Sequence, residues 1–163
     1  MTQRVFTQTF GTVGALIEKE GKILLVCESG FKGIDIGKWN IPEGWIDVGE
    51  NPVEAAAREA KEETGFSFRP THLLGIYSMV RKDHIKDFGE TPHAIKLVFL
   101  GDIDETIRNE LHEDVSETKW FSPEEIEKMG IDTLRNLDIK KIVKDYFSGH
   151  KYPLEILKHT IQI

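Results

Sequence analysis

The chain has 163 residues, of which 39% are hydrophobic and 30% are charged, and its formal net charge is −7. This length favours a single domain, residues 1–163, that can bury a proper core. The acidic balance argues against a stable nucleic-acid partner, and the lack of a signal-peptide layout or a membrane-length apolar run predicts a cytoplasmic protein with no membrane partner.

The first elements predicted are two strands joined as a β-hairpin. Residues 10–18 alternate between apolar and other positions, residues 19–21 form a tight turn, and residues 22–28 carry an apolar run. Cys27 is the single cysteine, which excludes an internal disulfide. Because it lies inside the second strand pattern, a buried core thiol is favoured over a catalytic one.

A bent loop rather than a regular element is predicted for residues 39–50, because they include Pro42, Gly44 and Gly49. Gly44 allows the backbone to approach another group closely. A main-chain carbonyl in such a turn is a candidate ligand for a metal ion held by neighbouring carboxylates.

A helix is predicted for residues 52–64. Asn51 is a favourable N-cap, Pro52 occupies the first helical position, and Gly65 supplies the C-terminal stop. The interior is rich in alanine and other strong helix formers. Its small apolar stripe suits close packing against a sheet.

Three glutamates, Glu59, Glu62 and Glu63, share one face of this predicted helix. Like charges in this arrangement repel each other, and a hard divalent cation is the natural counter-charge. The alternative is a solvated acidic face in which Arg58 pairs with nearby glutamates. Glu50 is predicted either to add a carboxylate or to form a bidentate pair with Arg58.

The remaining elements follow in chain order. Predicted are a strand or a bent pair of strands at 66–80, a long hairpin loop at 81–92, a strand at 93–101, a short strand at 119–121, a short helix capped by Ser122, and a final helix at 136–147. Strands interrupted by one helix and closed by another indicate an α/β fold, with a mixed sheet in a three-layer α/β/α sandwich. The apolar tail at 150–163 is expected to pack on its own domain or on a second subunit of a homodimer.

Residues 44–66 resemble the signature box of the Nudix (MutT-like) hydrolases. No required position departs from the family pattern, and the matching residues are Gly44, Glu50, Arg58, Glu59, Ala60, Glu62, Glu63, Gly65 and Phe66. The resemblance implies the same layered fold and a bound Mg²⁺, for which Mn²⁺ can substitute. The ligands implied are Glu59, Glu62, Glu63 and a main-chain carbonyl near Glu43–Gly44, with Arg58 orienting the glutamates and Glu50 supporting the site.

The activity implied is Mg²⁺-dependent hydrolysis of a nucleoside diphosphate linked to another moiety. The general base implied is Glu62 or Glu63, or a glutamate of a late loop, for which Glu113 and Glu117 are the candidates. A solvated acidic loop is the alternative for the last two residues.

Substrate contacts are expected from aromatic residues in or near loops and from two basic residues. Trp45, Trp39 and Phe31 are candidates for stacking on a base, and Arg81 and Lys96 for a terminal phosphate. The short motifs of NADH-type and ADP-ribose-type relatives are absent, so a nucleoside tri- or diphosphate pyrophosphatase is favoured. The alternatives are a non-catalytic nucleotide- or metabolite-binding module and an RNA-end pyrophosphohydrolase.

Overall fold

A computed structural model describes residues 8–30, 34–89 and 91–163. Its strands are β1 Phe10–Leu16, β2 Glu18–Lys19, β3 Lys22–Glu28, β4 Trp39–Asn40, β5 Glu43–Trp45, β6 Phe66–Val80, β7 His93–Arg108, β8 Val115–Phe121 and β9 Tyr152–Pro153. Its helices are α1 Pro52–Thr64, α2 Ile85–Phe88, α3 Pro123–Lys128 and α4 Asp138–Phe147, with short 3₁₀ turns at Lys82–His84 and Leu154–Ile156.

The strands form two sheets. The first has the order β5-β1-β7-β6-β9, in which β1 runs parallel to β7 and the other pairs are antiparallel. The second is built around β3, which pairs antiparallel with β2, β4 and β8. The mixed sheet predicted from the sequence is therefore confirmed.

Helices cover both faces of the strands. In β1, Leu16 faces a core that includes Ile126 of α3 and Ile139 of α4. On the opposite face, Val13 belongs to a core that includes Ala60 of α1. Because successive strand residues point to opposite faces, both cores use the same strands. This arrangement is the predicted three-layer α/β/α sandwich.

The two helix starts with clear capping signals are confirmed. The Asn51 side chain accepts a hydrogen bond of 3.0 Å from the Val53 N–H, and α1 ends at Gly65, whose φ is 75°. Ser122 and Glu125 form a reciprocal capping box at α3. These local bonds satisfy backbone groups that a helix terminus leaves open.

The predicted first hairpin is only partly correct. The strand expected at 10–18 divides, so that β1 joins the five-stranded sheet and only β2 pairs with β3. The prediction of a loop at 39–50 is also wrong, because β4 and β5 lie within it and Gly44 pairs with Val13. Both errors arise because strand pairing depends on partners distant in sequence.

Other boundaries also differ from the predictions. The loop expected at 81–92 contains a 3₁₀ turn and α2. β7 extends to Arg108 rather than ending at 101, since it continues to pair with β6. β8 begins at Val115 rather than at 119, because it follows β3 from Ile23 to Glu28.

The C-terminal segment contacts the rest of its own chain. Tyr152 and Pro153 pair with Leu73 and His72 of β6, and Leu154 packs against the core that contains α1. Ile161 and Ile163 are exposed. Within the described residues, every helix is too short or too polar to cross a membrane.

Candidate active site

Arg58 holds together the acidic residues around the middle of α1. Its Nε and Nη2 donate to the two carboxylate oxygens of Glu50 at 2.8 and 2.9 Å, which is the bidentate pair considered in the sequence analysis. Its Nη1 donates to Glu59 Oε1 at 2.7 Å, and its Nη2 donates to the Trp45 carbonyl at 3.1 Å. The guanidinium therefore connects the helix to the preceding loop at three points.

These contacts set the charge states around Arg58. Hydrogen bonding from Arg58 lowers the pKa of Glu50, and hydrogen bonding to Glu50 raises the pKa of Arg58. Glu59 behaves differently, because burial raises its pKa more than Arg58 lowers it. The site thus keeps one carboxylate firmly ionised and makes the other more costly to charge.

The Glu43–Gly44 backbone lies directly against the carboxylates of α1. A Cβ placed at Gly44 would overlap the carboxylate of Glu59, so a larger residue here would displace that carboxylate from its bond with Arg58. The Glu43 N–H donates to Glu63 Oε2 at 2.9 Å. Burial, followed by the nearby charge of Glu28, raises the pKa of Glu63 well above its ordinary value.

The donor chemistry fits a hard divalent cation. Carboxylates from adjacent helical turns lie against the backbone of β5, and two of them are destabilised as anions by burial. Glu62 has 43% of its side chain exposed and lies 3.5 Å from Arg58, so it can rotate. As the side chains stand, no three acidic, histidine or cysteine residues of the described chain converge closely enough to hold an ion.

A second cation, Lys96, contacts β5 through the side chain of Glu43. Its side chain is 1% exposed, and its Nζ contacts Glu43 Oε2 at 2.6 Å and Asp138 Oδ2 at 2.9 Å. Burial alone would lower the pKa of Lys96, but the two carboxylates outweigh it and raise the pKa. The structure therefore contradicts a direct phosphate contact by Lys96, because its ammonium is enclosed and already paired.

Arg81, the other candidate for a phosphate, has several partners. Its guanidinium donates to Asp83 at 2.8 Å and to Asn136 Oδ1 at 2.8 Å, and it lies 3.5 Å from Asp35. Arg135 lies 3.6 Å from Asp35 and pairs with Glu28 at 2.8 Å. The sequence analysis missed Asp35 and Arg135, since neither belongs to a motif and only the fold brings them to Arg81.

The predicted aromatic contacts are mostly occupied by packing. The Trp45 ring stacks on Phe10 with centroids 3.8 Å apart. Trp39 meets Phe121 edge-on at 4.8 Å and packs, partly buried, against the core of α3 and α4. Phe31 lies outside the described residues.

The late acidic residues occupy different settings. Glu117 lies in β8 opposite Cys27, so its predicted placement in a loop is wrong. Glu113 is exposed, and its carbonyl accepts from Ser29 Oγ at 2.6 Å. The His112 N–H donates to the Glu62 carbonyl at 2.8 Å, which fastens this loop to the end of α1.

A shallow depression beside Glu62 is lined by Arg58, Lys61, Asn109 and Glu110.

Known proteins resemble this chain in sequence and fold. A sequence model of the NUDIX domain matches residues 8–145. Phosphatase NudJ of Escherichia coli K12 is 33% identical over 147 residues, which cover 90% of this chain and 88% of that protein. A solved NUDIX hydrolase from Nitrosomonas europaea is 32% identical with a TM-score of 0.77 and covers 94% of this chain and 98% of its own. A MutT protein from Methanosarcina mazei is 25% identical with a TM-score of 0.67, over 89% and 97%.

Proposed function

Because the chain belongs to the Nudix hydrolase family, whose members are pyrophosphohydrolases that generally use divalent metal ions, we propose that it hydrolyses a nucleoside tri- or diphosphate or a related small molecule with Mg²⁺. The reacting bond is a phosphoric anhydride. The observation that carries this proposal is the close approach of Gly44 to the Glu59 carboxylate, while Arg58 holds Glu59 and Glu50 in place.

The residues that would hold the ion are Glu59, Glu62, Glu63 and a main-chain carbonyl near Glu43–Gly44. Their oxygens suit Mg²⁺, and Mn²⁺ is expected to replace it. When bound, the divalent ion offsets the charge of two phosphoryl groups and increases the acidity of the attacking water. The box glutamates, without a cation, would repel the same phosphates.

The protein residues divide the remaining work. Arg58 fixes the direction of Glu59 through a 2.7 Å bond, and Glu50 fixes Arg58. Water attacks phosphorus, a new P–O bond forms, and the bond to the bridging oxygen breaks. The water proton passes to a glutamate, for which we favour Glu62 because its side chain is exposed and loosely held. Glu63, Glu113 and Glu117 are the other candidates.

The proposal also covers the extent of the domain, the location of the enzyme and its oligomeric state. Residues 1–163 form one domain, which the pairing of Tyr152–Pro153 with β6 supports. We place the enzyme in the cytoplasm and expect Trp45 to lie near the bound substrate, since its carbonyl is held by Arg58. A homodimer through the exposed tail residues is tested by sedimentation of the full chain.

A substrate panel tests the activity. The full chain is incubated with nucleoside triphosphates, nucleoside diphosphates and dinucleoside diphosphates, with Mg²⁺, with Mn²⁺ and with chelator. Phosphate and pyrophosphate are measured, because the Escherichia coli relative is named a phosphatase. Nucleoside monophosphate is measured as well, because cleavage of a dinucleoside diphosphate releases two of them and neither of the other products. Metal-dependent release of any of these products is expected. Tight nucleotide binding without turnover would instead indicate a binding module, and turnover confined to RNA 5′ ends would indicate an RNA-end hydrolase.

A further inference from the structure

The carboxylate of Asp35 lies among basic side chains from separate parts of the fold. Lys38 Nζ lies 3.1 Å away, His84 Nε2 3.4 Å, Arg81 Nη2 3.5 Å and Arg135 Nε 3.6 Å. The Asp35 side chain is only 8% exposed, so it fills the space between these groups. We call these five residues the Asp35 cluster.

The two arginines of this cluster lie closer to other carboxylates than to Asp35, whereas Lys38 pairs with Asp35 at 3.1 Å. Arg81 reaches Asp83 at 2.8 Å and Arg135 reaches Glu28 at 2.8 Å, distances typical of charge-assisted hydrogen bonds. Their contacts with Asp35 are both 3.5 Å or longer. A carboxylate has two oxygens in one plane, whereas a phosphate presents three or four in a tetrahedron. The longer contacts of Arg81 and Arg135 therefore favour a ligand with more oxygens than a carboxylate, such as a phosphate.

The charge of this region depends on Asp35. Leaving His84 aside, three cations face three carboxylates, and without Asp35 three cations would face two: Lys38, Arg81 and Arg135 against Asp83 and Glu28. Such a partly buried positive excess favours binding of an anion.

The Asp35 cluster lies beside the candidate active site. The charge of Glu28 acts on Glu63 to raise its pKa, and the charge of Arg135 acts on it in the opposite direction. Arg81 bonds to Asn136, whose Nδ2 lies 3.5 Å from Glu43 Oε2. A molecule held at the glutamates of α1 would therefore have the Asp35 cluster next to it.

We propose that Lys38, Arg81 and Arg135 form a binding subsite for a phosphate group, which Asp35 occupies when no ligand is bound. The proposal deepens the proposed function and rests on it for one ligand source, a substrate phosphate beyond the two phosphoryl groups at the glutamates. Free inorganic phosphate has the same chemistry and is the other source. In both cases the Asp35 side chain must turn out of the cluster before the anion enters.

Asp35→Asn is the central variant. Asp35 has a φ of 60°, a conformation that asparagine tolerates well, so the change removes the charge and leaves the backbone unstrained. Glu105→Gln is the matched control, since it removes one carboxylate from the exposed pair with Lys19. Thermal melts establish that each variant is folded.

The first experiment titrates inorganic phosphate into the full chain in chelator, using calorimetry. Without metal, the box glutamates repel phosphate, so binding reports the subsite. Asp35→Asn is expected to bind phosphate about tenfold more tightly than wild type, and Glu105→Gln is expected to match wild type. The gain should vanish when Arg81→Gln and Arg135→Gln are added. Equal binding by Asp35→Asn and wild type, or a gain that survives both arginine changes, overturns the proposal.

If Asp35→Asn does not fold, Lys38→Gln decides the question in the same titration. Lys38 is partly exposed, so its replacement is expected to leave the fold intact. Weaker phosphate binding than wild type supports the subsite, and unchanged binding overturns it.

The second experiment separates the two sources of phosphate. KM is measured for a nucleoside triphosphate and for a dinucleoside diphosphate, which has no terminal phosphate. The ratio of the first KM to the second is then compared between Asp35→Asn and wild type. A fall of about tenfold in this ratio assigns the subsite to the substrate. An unchanged ratio with tighter binding of inorganic phosphate assigns it to the free anion. If no substrate is turned over, the proposed function fails, while the metal-free titration still tests the subsite.

Discussion

Two cations contact the Glu43–Trp45 strand, and they differ in their exposure to solvent. Arg58 binds the Trp45 carbonyl, and Lys96 binds the Glu43 side chain. The Arg58 cluster consists of Arg58, Glu50 and Glu59, and Arg58 has 31% of its side chain exposed. The Lys96 cluster consists of Lys96, Glu43 and Asp138, and Lys96 is 1% exposed. One faces the solvent from which a substrate arrives, and the other is closed within the fold.

This difference in exposure separates a cluster suited to catalysis from one that stabilises the fold. Charges that water can reach are able to change partners, as a metal site requires. Charges enclosed in the interior are stable only while each has its partner, because an unpaired buried ion is strongly unfavourable. We therefore expect changes in the glutamates beside the Arg58 cluster to alter turnover, and changes in the Lys96 cluster to alter folding.

Glu62→Gln is expected to have the largest effect. Turnover should fall roughly 10²–10⁴-fold, as when a proton acceptor is lost. The free energy of unfolding should change by no more than about 0.5 kcal/mol, since Glu62 is exposed. Steady-state kinetics and urea unfolding measure the two quantities. Glu54→Gln, an exposed change in the first turn of the same helix, is the control and should be active. Full activity of Glu62→Gln would contradict its assignment.

Lys96→Met should chiefly destabilise the fold. It leaves Glu43 and Asp138 buried without their cation, and a loss of roughly 3–5 kcal/mol in the free energy of unfolding is expected. Urea unfolding measures this loss. Adding Glu43→Gln and Asp138→Asn should recover most of it, because no unpaired charge is then buried. A loss below about 1 kcal/mol would show that the Lys96 cluster is not a structural element.

Arg58→Lys keeps the positive charge but removes the planar guanidinium, which donates several hydrogen bonds at once. A lysine cannot bind both oxygens of Glu50 and also Glu59, so the unfolding free energy should fall by roughly 1.5–3 kcal/mol. Turnover should also fall, since Glu59 loses the group that directs it. Wild-type kinetics in this variant would show that the positive charge alone is sufficient.

Acid and alkali should weaken the two clusters in opposite ranges. The pKa of Glu50 is lowered from 4.5, so its stabilisation is present above that value and is lost as pH falls through the lower, folded pKa. The pKa of Lys96 is raised from 10.5, so its stabilisation is present below that value and is lost as pH rises through the higher, folded pKa. Urea midpoints measured across pH should fall at both acid and alkaline pH. Glu50→Gln should reduce only the fall at acid pH, and Lys96→Met should reduce the fall at alkaline pH.

Local features could be predicted from the sequence. Asn51, Pro52 and Gly65 define α1 through neighbouring backbone bonds, and the structure has the helix at the predicted residues. The Glu50 to Arg58 pair was also accessible, because both residues belong to one short motif. Such features depend on residues close together in the chain, where propensity and spacing are informative.

Features assembled by the fold could not be predicted. The chain leaves one sheet for the other beside Ile17, although residues 10–18 read as one strand. Lys96 looked like an accessible cation because its neighbours Glu43 and Asp138 are far away in sequence. The Asp35 cluster likewise joins distant segments, and no spacing rule indicates it.

The order of the five-stranded sheet has a consequence for self-association. Its two outer strands, Glu43–Trp45 and Tyr152–Pro153, are only three and two residues long. Long bare edges act as templates for another chain, and short ones offer few backbone groups. The C-terminal residues thus cover part of the edge of β6. A chain lacking them would expose unpaired backbone groups at His72 and Leu73, where another chain can pair.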